Sequence, residues 1–470
     1  MMSSFDQAKL IDESKELFRV LFPICRSITG EGVRKSLSIL KKFVEFDLKE
    51  IPSGTPCYDW IIPDEWNIND AYVKDSQGNK IIDFNQNNLH VVSYSIPLNQ
   101  TMSFNELDQH LHTLPNLSDA IPYRTSYYKK DWGFCMTHNQ YKKMNRKEKY
   151  QVVIDSTLKP GRLNYGEFVL EGDSGFEFLF STYCCHPSMA NDNLSGLILW
   201  ALLLRELKHQ KTRHSYRFIV VPETIGSIAY LHNNEKEMKN VSGGFILTCT
   251  AGPNNFSYKK TFQNNHFIDQ ITLATLTDLR LEHTIYPFDI RGSDERQYSS
   301  PFFRIPMGTI CRDKYHEFDF YHTSKDNLEF IKHHNLIEML SLYSKIIENL
   351  EKTSLVDLNN AKTSETRSLT SSHIYRSLHP YCEPMLSKRG LYPSLGGSIR
   401  QNVIENKNVT DKSETELSDA INWVLFYADG VTSIEQISKI CGISFDVLLK
   451  AANILIDTKL LERTDHKSIT

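Results

Sequence analysis

Three short segments combine side chains that could bind a metal ion and activate water. The first is Ser181-Thr182-Tyr183-Cys184-Cys185-His186-Pro187-Ser188-Met189-Ala190-Asn191-Asp192-Asn193-Leu194-Ser195-Gly196. It leaves an apolar run of strand type and enters an apolar run of helix type, and open α/β sheets bind ligands at that edge. His186 offers an imidazole nitrogen and Asp192 a hard carboxylate oxygen. Both suit zinc, and the turn between them could bring them to one point. The plain structural alternative is a helix-capping Asp192 and a loop His186. The second segment, Val220-Val221-Pro222-Glu223-Thr224-Ile225-Gly226-Ser227, puts Glu223 directly after another strand-like run. A carboxylate there could serve as general base on a metal-activated water, or simply favour a helix N-terminus. The third, Asp319-Phe320-Tyr321-His322-Thr323-Ser324-Lys325-Asp326, holds His322 in a polar loop. Its alternative is a structural histidine beside a capping Asp326.

The elements that must position these groups follow from hydrophobic periodicity. Leu10, Ile11, Leu17 and Phe18, then Val33, Leu37, Leu40 and Val44, have helical spacing. From Ile51 prolines and short β-type runs take over, which predicts an inserted β-rich module over 52–140. Tyr150–Ile154 and Gly166–Leu170 alternate like paired strands. Phe176–Cys185, Tyr216–Val221 and Gly244–Cys249 are near-continuous apolar runs, as in sheets buried on both faces. A helix over 194–208 and another over 334–350 complete an α/β domain made of 1–51 and 141–352. The polar stretch 352–376 reads as a linker. Beyond it, 377–470 reads as a winged-helix-like domain, with helices over 415–427, 433–441 and 444–457 and a final strand from Leu460.

Composition narrows the function classes. The 470 residues carry 53 Lys+Arg and 57 Asp+Glu, a net charge of −4, which leaves no electrostatic footprint for general nucleic-acid binding. The nine cysteines, at 25, 57, 135, 184, 185, 249, 311, 382 and 441, form no Cys-x-x-Cys. A thiolate zinc ribbon and a disulfide scaffold are both excluded on that ground. Cys184 and Cys185 point to opposite faces of a strand and read as core thiols. The start has no apolar signal-type segment, and the longest apolar stretch, Leu194–Leu204, is too short to span a bilayer. A cytoplasmic chain without membrane partners is expected.

The motifs also resemble a known superfamily. His-Pro-x-x-x-x-Asp-Asn-x-Ser-Gly at 186–196, Pro-Glu-Thr-Ile-Gly-Ser at 222–227, Gly-Ser-Asp-Glu at 292–295 and Tyr-His-Thr-x-x-Asp at 321–326 are similar to those of the zinc aminopeptidases. The nearest likeness is to a bacterial aminopeptidase-like branch with an inserted β domain of unknown function and a C-terminal winged helix. That branch is often associated with polysaccharide-biosynthesis gene clusters. Leu21–Gly30, Ile51–Thr55, Asp59-Trp60 through Ile68, Asp70–Tyr72 and Asn88–Val92 extend the likeness over essentially the whole chain.

The resemblance implies a zinc-aminopeptidase-like (phosphorylase/hydrolase-like) three-layer α/β fold and a metal-dependent aminopeptidase or related amidohydrolase. It implies His186, Asp192 and His322 as zinc ligands, with Asp192 at the place of the carboxylate that bridges two metals in two-zinc members, and Glu223 as the catalytic base or, alternatively, a metal ligand. Asp294 and Glu295 fall where relatives place carboxylates near the substrate, and Arg26 and Arg124 are further pocket candidates. Two departures stand out. Glu223 is followed by Thr224 rather than a second Glu, and Thr250-Ala251-Gly252-Pro253 supplies no carboxylate after Leu247–Cys249. One zinc is therefore expected, with a weak second site as the alternative. Expected substrates are a small peptide, an aminoacyl conjugate or another amide. The competing reading is a catalytically weakened member acting as a binding or regulatory protein through its winged helix. The evenly mixed charges of 411–463 point that domain towards a protein partner or a second copy rather than DNA.

Overall fold

The structure, a computed structural model, describes residues 6–353, 373–391, 396–397 and 412–464. The stretch expected to be a linker, 352–376, falls outside these residues except at its ends.

An eight-stranded mixed sheet forms the middle layer. Its order is Asp47–Pro52, Arg162–Leu170, Ser215–Val221, Glu177–Tyr183, Val241–Ile246, Met307–Cys311, Phe256–Lys259, His283–Tyr286. The four strands from Ser215–Val221 to Met307–Cys311 run parallel. Period-two alternation explains why the central strand is buried on both faces. Phe178 and Phe180 join the core with helices Gln7–Leu21, Glu31–Phe43, Gly196–Leu207 and His333–Lys352. Leu179 and Tyr183 join the opposite core with Ile225–Asn233. Gly196 has a definite role: a Cβ there would lie 2.2 Å from the Leu247 carbonyl oxygen, so only glycine lets this helix press onto the strand end.

The inserted module reaches further than the expected end at 140. Its four-stranded sheet pairs Lys80–Asp83, Glu65–Lys74, Lys149–Lys159 and Leu98–Ser103 in that order. Tyr150–Ile154 therefore pairs with the insertion, while Gly166–Leu170 pairs with the central sheet, so the two are not partners. Alternation revealed two strands but carried no information about partner choice.

The C-terminal unit has helices Lys412–Phe426, Ile434–Cys441 and Phe445–Asp457 and a three-stranded sheet. Ile374–Ser377 is its central strand, so the unit starts before the expected 377. The solvent side of Phe445–Asp457 carries Asp446, Lys450, Asn453, Ile456 and Asp457, without the basic excess that phosphate contacts require.

A segment of that unit that follows its strand Ile374–Ser377 is moored to the insertion. Asp59 accepts from Lys388 Nζ at 2.6 Å, Arg389 Nη1 at 2.6 Å and the Met385 amide at 2.8 Å. Burial opposes ionisation of Asp59, but Arg389 and Lys388 outweigh it and hold the carboxyl below its ordinary value. The contribution to stability is thus complete above that ordinary value, 3.8, and is lost as pH falls below it. Asp59→Ala is expected to cost about 2 kcal/mol or more by leaving the charged donors unmatched. Thermal unfolding at neutral pH should show a midpoint several degrees lower. An unchanged midpoint would show that the mooring does not stabilise the fold.

Candidate metal centre

The parallel strands deliver the three segments to one sheet edge. His186 follows Glu177–Tyr183, and Glu223 follows Ser215–Val221. Thr248 and Cys249 follow the neighbouring Val241–Ile246, and His322 lies in the long connection after Met307–Cys311. Several backbones here are held at positive φ: Ser188 (42°), Thr224 (63°), Cys249 (52°) and His322 (55°). Such conformations cost energy in non-glycine residues and persist where surrounding contacts over-determine them.

His186, Asp192 and His322 converge. One donor atom from each lies within 4.8 Å of the others, and all three residues are buried. His322 Nε2 is 3.0 Å from Asp192 Oδ2. His186 Nδ1 faces Cys185 Sγ at 3.5 Å, and its Nε2 lies 3.8 Å from Glu223 Oε2. Burial lowers the His186 pKa to about 4, so the imidazole is neutral and can offer a lone pair. Burial disfavours the Asp192 anion, but His186 and His322 outweigh it and hold the carboxyl well below the usual range. Two imidazoles and a carboxylate, all buried, match the donor types of catalytic zinc sites, so the residues fit that metal. A second group, Cys185, His186 and Glu223, meets the same distance criterion.

Glu223 stands beside this cluster. Its Oε1 accepts from Ser293 Oγ at 2.7 Å, and its amide donates to Cys185 Sγ at 3.3 Å. Burial, then the charges of Asp294 and Asp192, push its pKa well above the ordinary value. That is the direction a general base needs in order to work near neutral pH.

Four expected substrate contacts are placed differently. Asp294 and Glu295 are each 1% exposed. Asp294 Oδ1 accepts from the Thr224 amide at 2.7 Å and Ser227 Oγ at 2.9 Å, which anchors the strained turn after Glu223. Glu295 is taken by Lys259 Nζ at 2.5 Å and Tyr315 Oη at 2.6 Å. Arg26, 1% exposed, lies beneath the centre and donates to the His186 and Leu21 carbonyls. Arg124 donates to the Gly397 carbonyl. In the structure all four make contacts that hold loops around the centre.

Other contributors carry little sequence signal. Asp326 accepts from the amides of Asn191 at 2.6 Å and Asp192 at 2.8 Å, so the third motif holds the first motif's loop. Tyr183 Oη donates to Asp192 Oδ1 at 2.6 Å. The insertion supplies a strap over the centre: the Tyr123 amide donates to the His322 carbonyl at 2.8 Å, and Ile121 and Ser324 exchange two hydrogen bonds. The Tyr123 ring lies 5.3 Å from that of His186 and 5.2 Å from that of His322, with its hydroxyl 2.9 Å from that of Tyr127. Alternation marks Tyr183 as a core residue, and in 120–128 only the resemblance, through Arg124, points towards the pocket.

This architecture is that of the zinc aminopeptidases, extended by an inserted β module and a C-terminal winged helix. A family model described as a domain of unknown function (DUF4910) matches residues 15–353, and a winged helix-turn-helix model matches 373–463. The chain belongs to the DUF4910 family. It is 41% identical over 450 residues, 96% of each chain, to a Clostridium acetobutylicum protein named, as an unproven assignment, a polysaccharide biosynthesis protein with aminopeptidase-like domain. A crystal structure from the same organism, titled with equal reserve as a peptidase, is 39% identical over 98% of both chains with a TM-score of 0.71. A zinc aminopeptidase of Bacillus subtilis shares the fold at 14% identity and a TM-score of 0.56, covering 75% of this chain and 96% of its own. No helix among the described residues is long and apolar enough to cross a membrane.

The role of Asp326 is testable. Asp326→Ala leaves two buried amides unmatched, at about 1–3 kcal/mol each, and frees the Asp192 loop. Zinc titration of the folded variant should show affinity lowered at least about tenfold, as for other residues that orient ligands. Unchanged affinity would remove Asp326 from the support of the centre.

Proposed function

We propose that the protein is a zinc-dependent hydrolase of amide bonds, of the aminopeptidase or amidohydrolase type. The observation that carries this reading is the convergence of His186, Asp192 and His322 with the Glu223 carboxylate 3.8 Å from His186. His186, Asp192 and His322 would hold the metal. Bound zinc supplies Lewis acidity towards the scissile carbonyl and lowers the pKa of water.

Glu223 takes the proton from the attacking water and delivers it to the leaving nitrogen. Ser293 pins one Glu223 oxygen, leaving the other directed at the His186 side. Asp294, through Thr224 and Ser227, keeps that turn in its strained form. The strap carrying Tyr123 and Tyr127 covers the centre and narrows the substrate to a small peptide, an aminoacyl conjugate or an amide on a small molecule. A role in polysaccharide biosynthesis is supported by the name of the Clostridium relative.

Glu223→Gln keeps the shape but removes the base. Zinc should still bind, while hydrolysis of aminoacyl or acylamide substrates falls by about 10²–10⁴-fold. Retained turnover would exclude Glu223 as the base. A chelator should abolish activity and added zinc restore it; activity that survives complete metal removal would refute the metal mechanism.

A further inference from the structure

The carboxylate of Asp192 is 0% exposed, and its two oxygens are treated differently. Oδ2 faces His322 Nε2 at 3.0 Å, within the ligand cluster. Oδ1 points the other way and accepts from Tyr183 Oη at 2.6 Å. An ionised carboxylate cannot donate, so the phenol proton lies in that bond. The phenol oxygen is in turn 2.8 Å from Thr248 Oγ1, whose hydroxyl is then the donor. Thr248 closes this side because it sits at the end of the adjacent parallel strand.

We infer that Tyr183 is a positioning residue that turns Asp192 Oδ2 into the ligand cluster and, by occupying the Oδ1 side, disfavours a second metal ion there. The inference rests on the metal-centre reading above. A second cation held through Oδ1 would need room beside that oxygen, and here Tyr183 Oη and, behind it, Thr248 Oγ1 fill that side. The phenol cannot swing away cheaply. Tyr183 is 3% exposed, ends a strand bonded on both sides, and packs in the core that includes Ile225 and Ile246. The residues after Thr248 (Cys249, Thr250, Ala251 and Gly252) add no carboxylate, and Cys249 belongs to neither candidate ligand group among the described residues. The contact also sets direction: it turns Oδ2 towards His186 and His322, as outer hydrogen bonds do for metal-ligating side chains.

The test is a zinc titration of the full chain, stripped of metal, against a competing chelator. The metal-free wild type and Tyr183→Phe are first compared by thermal unfolding to establish folding. The wild type should bind one equivalent tightly and no second at comparable affinity. Tyr183→Phe should bind its equivalent about 10–100-fold more weakly. Should that variant fail to fold, Thr248→Val, which removes the donor to the phenol, should weaken zinc binding in the same direction by a smaller factor. Two tight equivalents in the wild type would overturn the single-ion inference while leaving the metal reading intact. Unchanged affinity in folded Tyr183→Phe would overturn the positioning role. A wild type that binds no zinc would overturn the metal reading itself, and this inference with it.

Discussion

The charge of Asp192 is the constraint around which the site is organised. A carboxylate with no solvent exposure is costly unless each lone pair meets a donor or a cation. Tyr183 meets one oxygen and His322 approaches the other. The loop that carries Asp192 is itself held by Asp326, whose two oxygens take consecutive amides. These partners come from the strand before the loop and from a connection more than a hundred residues later. The charge can therefore be satisfied only when the sheet edge is assembled, and folding and site formation become one event.

The same logic extends outward. Arg26 fastens the His186 backbone to the first helix, and Asp294 fastens the turn after Glu223. The insertion adds the strap whose Tyr123 amide bonds the His322 carbonyl. The module thus shares hydrogen bonds with the loop that carries His322 and, through Asp59, with a segment of the C-terminal unit.

Much of this was legible in the sequence, for identifiable reasons. Continuous apolar runs revealed strands buried on both faces, and the residues just beyond them, His186 and Glu223, were suspect because that edge of an α/β sheet gathers ligands. Partner choice between strands was not legible: Tyr150–Ile154 alternates like any half-buried strand, and only long-range pairing assigns it to the insertion. The partners of acidic residues near the site were not legible either, because sequence cannot show that Lys259 and Tyr315 meet Glu295. Tyr183 was hidden for a related reason: an aromatic residue in a buried strand looks like filling, and its hydroxyl gains meaning only from Asp192 across the turn.

The most direct measurement is anomalous diffraction at the zinc edge on crystals of the full chain grown with zinc. The account predicts one peak, bounded by Asp192 Oδ2 and by ring nitrogens of His186 and His322, with Tyr183 Oη still bonded to Asp192 Oδ1. A peak held instead by Cys185 and Glu223, or no peak beside Asp192 at saturating zinc, would contradict it.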